Sequence, residues 1–79
     1  MESQLKQIMA DVLDLSPQAV DESTTRDRIA SWDSLNHIQL VLALEQAFQV
    51  SFDINEIEAM LSYADIRQVL NGKLHPSAS

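Results

Sequence analysis

Apolar residues recur at helical spacing in four stretches of the chain, separated by polar or proline-containing breaks. Leu5, Ile8, Met9, Val12 and Leu13 fall at i, i+3, i+4, i+7 and i+8, the stripe of an amphipathic helix, which predicts helix one from about Ser3 to Leu15. Ser16-Pro17 should stop it, because a residue preceding proline is pushed out of the helical region. The same pair can open a short turn with Pro17 at its first position, from which Val20 plugs into the core. From Asp21 to Ser31 the chain is polar and rich in Ser, Thr and Asp, with Ile29, Ala30 and then Trp32 as its apolar anchors, and it reads as a long loop. Loops of this length inside small domains are usually functional or mobile.

Helix two follows at once. Asp33 is a good N-cap, since a short carboxylate can accept the orphan N–H groups of a first turn, and this makes Ser34 the first residue of a helix running to Phe48. At about 100° per residue, Leu40, Val41, Leu44, Ala47 and Phe48 gather on one side as the core face. Leu35, Ile38 and Leu42 fall on the other, interleaved with Gln39, Glu45, Gln46 and Gln49. Such a second stripe has two readings: a central helix buried nearly all round, or a docking face with a polar rim.

After a break at Val50-Ser51, a short third helix is expected over Phe52–Leu61, with Ile57, Met60 and Leu61 turned inward. Ser62 with Asp65 three residues on looks like a capping box opening a last helix, whose Ile66, Val69 and Leu70 face the core and which Asn71-Gly72 ends. A frayed tail from Lys73, with His75-Pro76, should follow. The fold class is therefore all-α, a small four-helix bundle with a long first loop and a short third helix. Residues 1–74 are expected to form one domain and 75–79 a flexible tail.

At 79 residues the chain can bury about 60% of its unfolded surface, enough for one modest core and too little for a cleft between domains. Twelve acidic against five basic residues give a formal charge of −7, which argues against nucleic acid or anionic membrane as partner and for basic patches on other proteins. With no cysteine there is neither a disulfide nor a thiolate site, so any thiol chemistry must be imported on a cofactor. The first residues, Met1-Glu2-Ser3-Gln4-Leu5-Lys6, do not read as a secretory leader, and the longest apolar run, Leu40–Leu44, is far too short to span a bilayer. The expectation is a cytoplasmic monomer.

Asp33-Ser34-Leu35, followed by Ile38-x-Leu40-Val41 and Ala43-Leu44-Glu45-x-x-Phe48, resembles the prosthetic-group helix of acyl carrier proteins, and the helix order and lengths extend the resemblance over most of the chain. In that family the serine of this tripeptide carries 4'-phosphopantetheine, whose thiol holds acyl or aminoacyl groups as thioesters. The resemblance therefore implies Ser34 as the attachment residue, with Asp33 capping the helix and helping to position the metal that the modifying transferase uses. An anion esterified to Ser34 would sit at the positive end of the helix dipole. The implied partners are a phosphopantetheinyl transferase and acyl-loading and acyl-transfer enzymes. They would dock on Leu35, Ile38, Gln39, Leu42 and Glu45 of helix two, and the chain would perform no catalysis itself. An acyl chain could tuck between helices two and three, against Val41, Leu44, Phe48, Ile57 and Met60.

Within the resemblance, Ser31-Trp32-Asp33-Ser34 lacks the two glycines usual before the serine of peptidyl carriers, which favours the acyl branch. Trp32, Asn36, Gln39, Gln46 and Gln49 depart from the more acidic pattern of fatty-acid-synthesis carriers, pointing to a specialised carrier of a lipid, polyketide or other secondary pathway. The alternative is a small acidic adaptor that binds partners through helix two without a prosthetic group. An esterase-like pairing of Ser34 with His37 fails for want of an orienting third group, a Gly-rich oxyanion turn and a water-excluding cleft. Asp53-x-Asn55 fails as a calcium loop, because Ile57, Glu58 and Ala64 stand where an oxygen ligand, Gly and Glu are required.

Overall fold

The computed structural model of the protein describes residues 1–74, and the tail expected at 75–79 lies outside the described residues. Four α-helices follow in order: α1 (Glu2–Leu13), α2 (Ser34–Phe48), α3 (Ile54–Ala59) and α4 (Tyr63–Leu74), with a 3₁₀ turn at Pro17–Ala19. No β-strand forms among the described residues. The core is made where the predicted stripes meet: Leu5, Met9 and Leu13 of α1, Leu40 and Leu44 of α2, Met60, and Ile66 and Leu70 of α4 are all fully buried. Val20 of the first loop is buried among them, as its place after the proline turn suggested.

Helix ends are where the structure departs from expectation. α1 stops two residues early, at Asp14, which adopts the left-handed conformation (φ 58°). The Leu15 N–H then reaches back to the Ala10 carbonyl at 2.9 Å and Leu15 packs on the core, a Schellman-type closure that precedes Ser16-Pro17. α2 closes in the same way: Gln49 has φ 56° and the Val50 N–H bonds the Glu45 carbonyl at 3.2 Å. Neither cap is glycine. The one glycine of the chain, Gly72, instead lies inside α4, which continues through Lys73 to Leu74. Asn71-Gly72 therefore does not end the helix, and Lys73 is not part of a frayed tail. Its ammonium pairs with Glu56 at 2.9 Å and sits 5.6 Å from the centre of the Phe52 ring, so tertiary contacts hold the last turn.

α3 is shorter than expected because Asp53 starts it and Met60 leaves helical geometry. The Asp53 carboxylate accepts from the Glu56 N–H at 2.8 Å, and the Glu56 carboxylate accepts from the Asp53 N–H at 2.9 Å, a full capping box. That backbone bond, followed by Lys73, holds the Glu56 carboxyl below its ordinary value. Leu61, expected to face inward, is 51% exposed, since the helical period has been broken at Met60. At α4 the Ser62 hydroxyl accepts from the Asp65 N–H at 3.0 Å, as predicted, while the Asp65 carboxylate reaches the Leu61 N–H at 3.3 Å and not that of Ser62.

The long loop between α1 and α2 is tied down along its length. Thr24 is buried, donating to the Ala19 carbonyl and accepting from the Asp21 N–H. An isolated antiparallel bridge joins Thr25 to Ser62 through Arg26 N–H to Leu61 O (2.8 Å) and Tyr63 N–H to Thr24 O (3.0 Å). Further along, the Ser31 hydroxyl donates to the Leu13 carbonyl at 2.6 Å. Arg67 adds an outer clasp, pairing with Glu2 and Glu22 over the face of Tyr63, whose hydroxyl also donates to Glu2. That phenol bond, then Arg67, lowers the pKa of Glu2.

Candidate functional site

The first turn of α2 is built by Asp33, whose extended backbone (φ −95°, ψ −176°) leads into the helix and whose carboxylate accepts from the Asn36 N–H at 2.8 Å. Ser34 is thereby the first helical residue, and its side chain is exposed. The Asn36 amide donates back to the Ser31 carbonyl at 2.7 Å, which fixes the approach of the loop.

Beneath this turn lies a buried polar staple. The Trp32 indole N–H can only donate, and it lies 2.9 Å from His37 Nδ1, so that nitrogen accepts and carries no proton. His37 Nε2–H then donates to the Ile57 carbonyl at 2.8 Å. Trp32 and His37 are 3% and 4% exposed and their rings stack, with centroids 6.1 Å apart. The end of the loop, α2 and α3 are thus locked by one imidazole, whose two nitrogens are both occupied. It cannot act as a base toward Ser34.

His37 also accounts for the core face of α2. At about 100° per residue it falls at the centre of Leu40, Val41, Leu44 and Phe48, which lie within about 60° of it on either side. Ala47 lies about 80° away, at the margin of the stripe and in the last turn. Its methyl is too short to reach the core and stays exposed, so it does not belong to the core face as expected, and Phe48 is only half-buried.

Leu35, Ile38 and Leu42 remain 66%, 51% and 53% exposed on the other side, so α2 is not buried all round. Gln39 is exposed beside them. Glu45 is half-buried, and its carboxylate accepts from the Phe52 N–H at 3.0 Å, bracing the turn into α3. Of the five positions expected to dock partners, four are therefore open and Glu45 already has an internal partner. Of the positions expected to line an acyl space, Leu44 and Met60 are fully buried, Val41 is nearly so, and Phe48 and Ile57 pack on the core from its edge.

Arg26 approaches Ser34, a contact that nothing in the sequence signals. Its Nε–H donates to the Trp32 carbonyl at 3.3 Å and its Nη2 lies 3.5 Å from the Ser34 hydroxyl. No local periodicity could reveal this contact, which depends on how the loop folds back against α2. Arg26 stands at an open groove of about 690 Å³, walled by Thr25, Asp27 and Trp32 on the loop side and by Leu61, Ser62 and Asp65 across it. The Asp27 carboxylate turns to the Thr25 hydroxyl at 2.7 Å, and this bond holds its carboxyl below the ordinary value. Among the described residues no cluster of three or more His, Cys, Asp or Glu side chains is arranged to bind a metal, and no helix is long and apolar enough to cross a membrane.

The sequence matches the family model described as "Phosphopantetheine attachment site" over residues 3–71. It is also similar to proteins named acyl carrier protein from several bacteria. It is 29% identical over 69 residues to that of Campylobacter fetus, covering 87% of this chain and 90% of the relative. To that of Thermosynechococcus vestitus it is 30% identical over 70 residues, covering 89% and 86%. To that of Campylobacter curvus it is 31% identical over 62 residues, covering 78% and 80%. A helical domain whose second helix opens on an exposed serine, matched along nearly its whole length, belongs to the acyl carrier protein family, a carrier of covalent phosphopantetheine and not an enzyme.

Proposed function

We propose that Ser34 is the residue that carries the phosphopantetheine arm. The observation that carries this reading is the position of its hydroxyl: exposed, at the first residue of α2, and within hydrogen-bond reach of a guanidinium. The residues present fit such a group. A primary hydroxyl is open to a transferase, the helix N-terminus favours an attached anion, and Arg26 supplies a cation in a chain of net charge −7. When bound, the arm supplies the thiol that cysteine-free chemistry here lacks, and acyl groups are held on it as thioesters. Asp33 keeps the serine at the helix mouth by capping Asn36, and the Trp32–His37–Ile57 staple keeps that mouth fixed relative to α3.

Leu35, Ile38, Gln39 and Leu42 form the surface on which a phosphopantetheinyl transferase and acyl-loading and acyl-transfer enzymes dock, an apolar patch beside the attachment residue. Glu45 marks the border of that surface. With Gln39, Gln46 and Gln49 in place of acids, docking leans on the leucines and isoleucine, which suits enzymes of a dedicated lipid or polyketide pathway better than general fatty-acid enzymes. A thiol that must stay reduced to accept acyl groups suits the cytoplasm. The adaptor reading, which has no prosthetic group, loses its support once the phosphopantetheine family is established. Intact mass after incubation with a broad-specificity transferase and coenzyme A tests the assignment. The wild type should gain one phosphopantetheinyl group and Ser34→Ala none; an unchanged wild-type mass, or full modification of the variant, would overturn it.

A further inference from the structure

The cations of this chain have distinct surroundings. Arg67 pairs with Glu2 and Glu22, Lys73 pairs with Glu56, and Lys6 lies 5.6 Å from the centre of the Tyr63 ring. Arg26 and Arg28 have neither a carboxylate partner nor an aromatic ring against them among the described residues, although acids outnumber bases twelve to five in the chain, and Arg26 is the one of the two that faces Ser34. The carboxylate nearest in sequence, Asp27, is engaged by Thr25. Arg26 instead makes two long contacts to neutral oxygens, the Trp32 carbonyl and the Ser34 hydroxyl. A guanidinium offers five N–H groups in a planar fork that matches an oxyanion at two points, so most of its donor capacity is unused here.

Esterification of Ser34 would place a phosphodiester on the oxygen that Arg26 already faces, with its two non-bridging oxygens two bonds beyond it. Without a counter-cation that charge would lie beside Asp33 in a strongly acidic protein. The groove adjoining Arg26 has the mixed character that a pantetheine arm requires, with apolar surface from Leu61 and the edge of the otherwise buried Trp32 for its dimethyl carbon and hydroxyls of Thr25 and Ser62 for its amides. Leu61, a large apolar side chain half in solvent, gains cover from such an occupant.

Building on the assignment of Ser34, we propose that Arg26 binds the phosphodiester through its guanidinium fork and turns the arm into the groove between the first loop and the α3–α4 corner. Arg26 is a positioning residue: it selects where the arm rests between encounters and performs no chemistry. The arm then lies on the loop side of α2 and leaves the Leu35–Leu42 face free for a partner.

The test compares apo and holo protein, with loading verified by intact mass, using nitrogen–proton correlation spectra that include the arginine Nε–H groups. In the wild type, loading should shift the Arg26 Nε–H together with the amides of Leu61 and Ser62, which are remote from Ser34 in sequence. Arg26→Gln should lose the Leu61 and Ser62 shifts while keeping those of residues beside Ser34, and Arg26→Lys should keep part of them. If Arg26 only braces the Trp32 carbonyl, Arg26→Gln will alter the apo spectrum and leave the apo-to-holo difference as in the wild type, which overturns the proposal. Should Arg26→Gln fail to fold, the wild type decides alone: an Arg26 Nε–H unmoved by loading overturns it. No mass gain would overturn the Ser34 assignment and this inference together, whereas a mass gain with unmoved Arg26 would overturn this one only.

Discussion

Leu44 and Leu42 stand two residues apart on α2, yet the first is fully buried and the second keeps 53% of its surface in solvent. The inner face, centred on His37, closes the core with Leu40, Val41 and Leu44, while the outer face presents Leu35 and Ile38 along with Leu42. Hydropathy does not separate the two groups; angle around the helix does. Burying a leucine or isoleucine side chain is worth about 1.5–3 kcal/mol, so three of them left in water on one helix are not explained by the stability of this chain. Their retention supports a surface used in association, whereas the inner face is explained by packing alone.

The sharpest way to break this contrast is truncation on each face. Leu44→Ala should cost about 2–5 kcal/mol, since it removes transfer free energy and leaves a cavity, a large fraction of the stability of so small a domain. Leu42→Ala should stay within about 0.5 kcal/mol, as for other surface substitutions. Equal denaturant midpoints for the two variants would abolish the distinction. His37→Leu probes the centre of the inner face. It orphans the buried Trp32 indole N–H, at about 1–3 kcal/mol, and leaves the Ile57 carbonyl with the Met60 N–H alone, so the midpoint should fall despite the gain in hydrophobicity. An unchanged midpoint would mean that the staple is dispensable.

On the outer face, replacing Gln39 and Gln46 together by Glu restores acids around the exposed leucines. The rate of loading by a basic fatty-acid-synthase enzyme should rise severalfold, and the gain should shrink as salt is added. If the wild type is already loaded as fast as a fatty-acid-synthesis carrier, charge on this face is not what selects partners. The smallest effect concerns α4, where solvent also meets a helix. Gly72 is exposed, has no atom within 4 Å of where a β-carbon would stand, and sits in a helix that gains nothing from its flexibility. Gly72→Ala should therefore raise stability by about 0.5–1 kcal/mol, read as a shift of the thermal midpoint.

What the sequence disclosed and what it concealed divide along the same physical line. Features set by neighbours within a turn were legible. The Asp33 cap fixed Ser34 at the mouth of α2, period 3.6 separated Leu44 from Leu42, and the proline turn sent Val20 inward. Features set by distant contacts were not. Gly72 looked like a stop, but Lys73 beyond it is held by Glu56 and Phe52. Leu61 continued an apolar run, but the chain had left helical geometry at Met60 and was paired with the first loop. His37, being polar, does not enter a count of apolar positions, although it occupies the middle of the core face once Trp32 and Ile57 satisfy it. Arg26 meets Ser34 across eight residues of loop, a distance that no pattern in the sequence encodes.

The bridge between Thr25 and Ser62 has a consequence for how the molecule opens. Its two amide bonds run in opposite senses, Arg26 giving to Leu61 and Tyr63 giving to Thr24, so the loop cannot lift away without also freeing the entrance to α4. The two segments should behave as one cooperative opening unit, with the Arg26 and Tyr63 amides exchanging with solvent deuterium at matched rates. The long first loop is thus less a tether between helices than a strap, fastened at the α3–α4 corner.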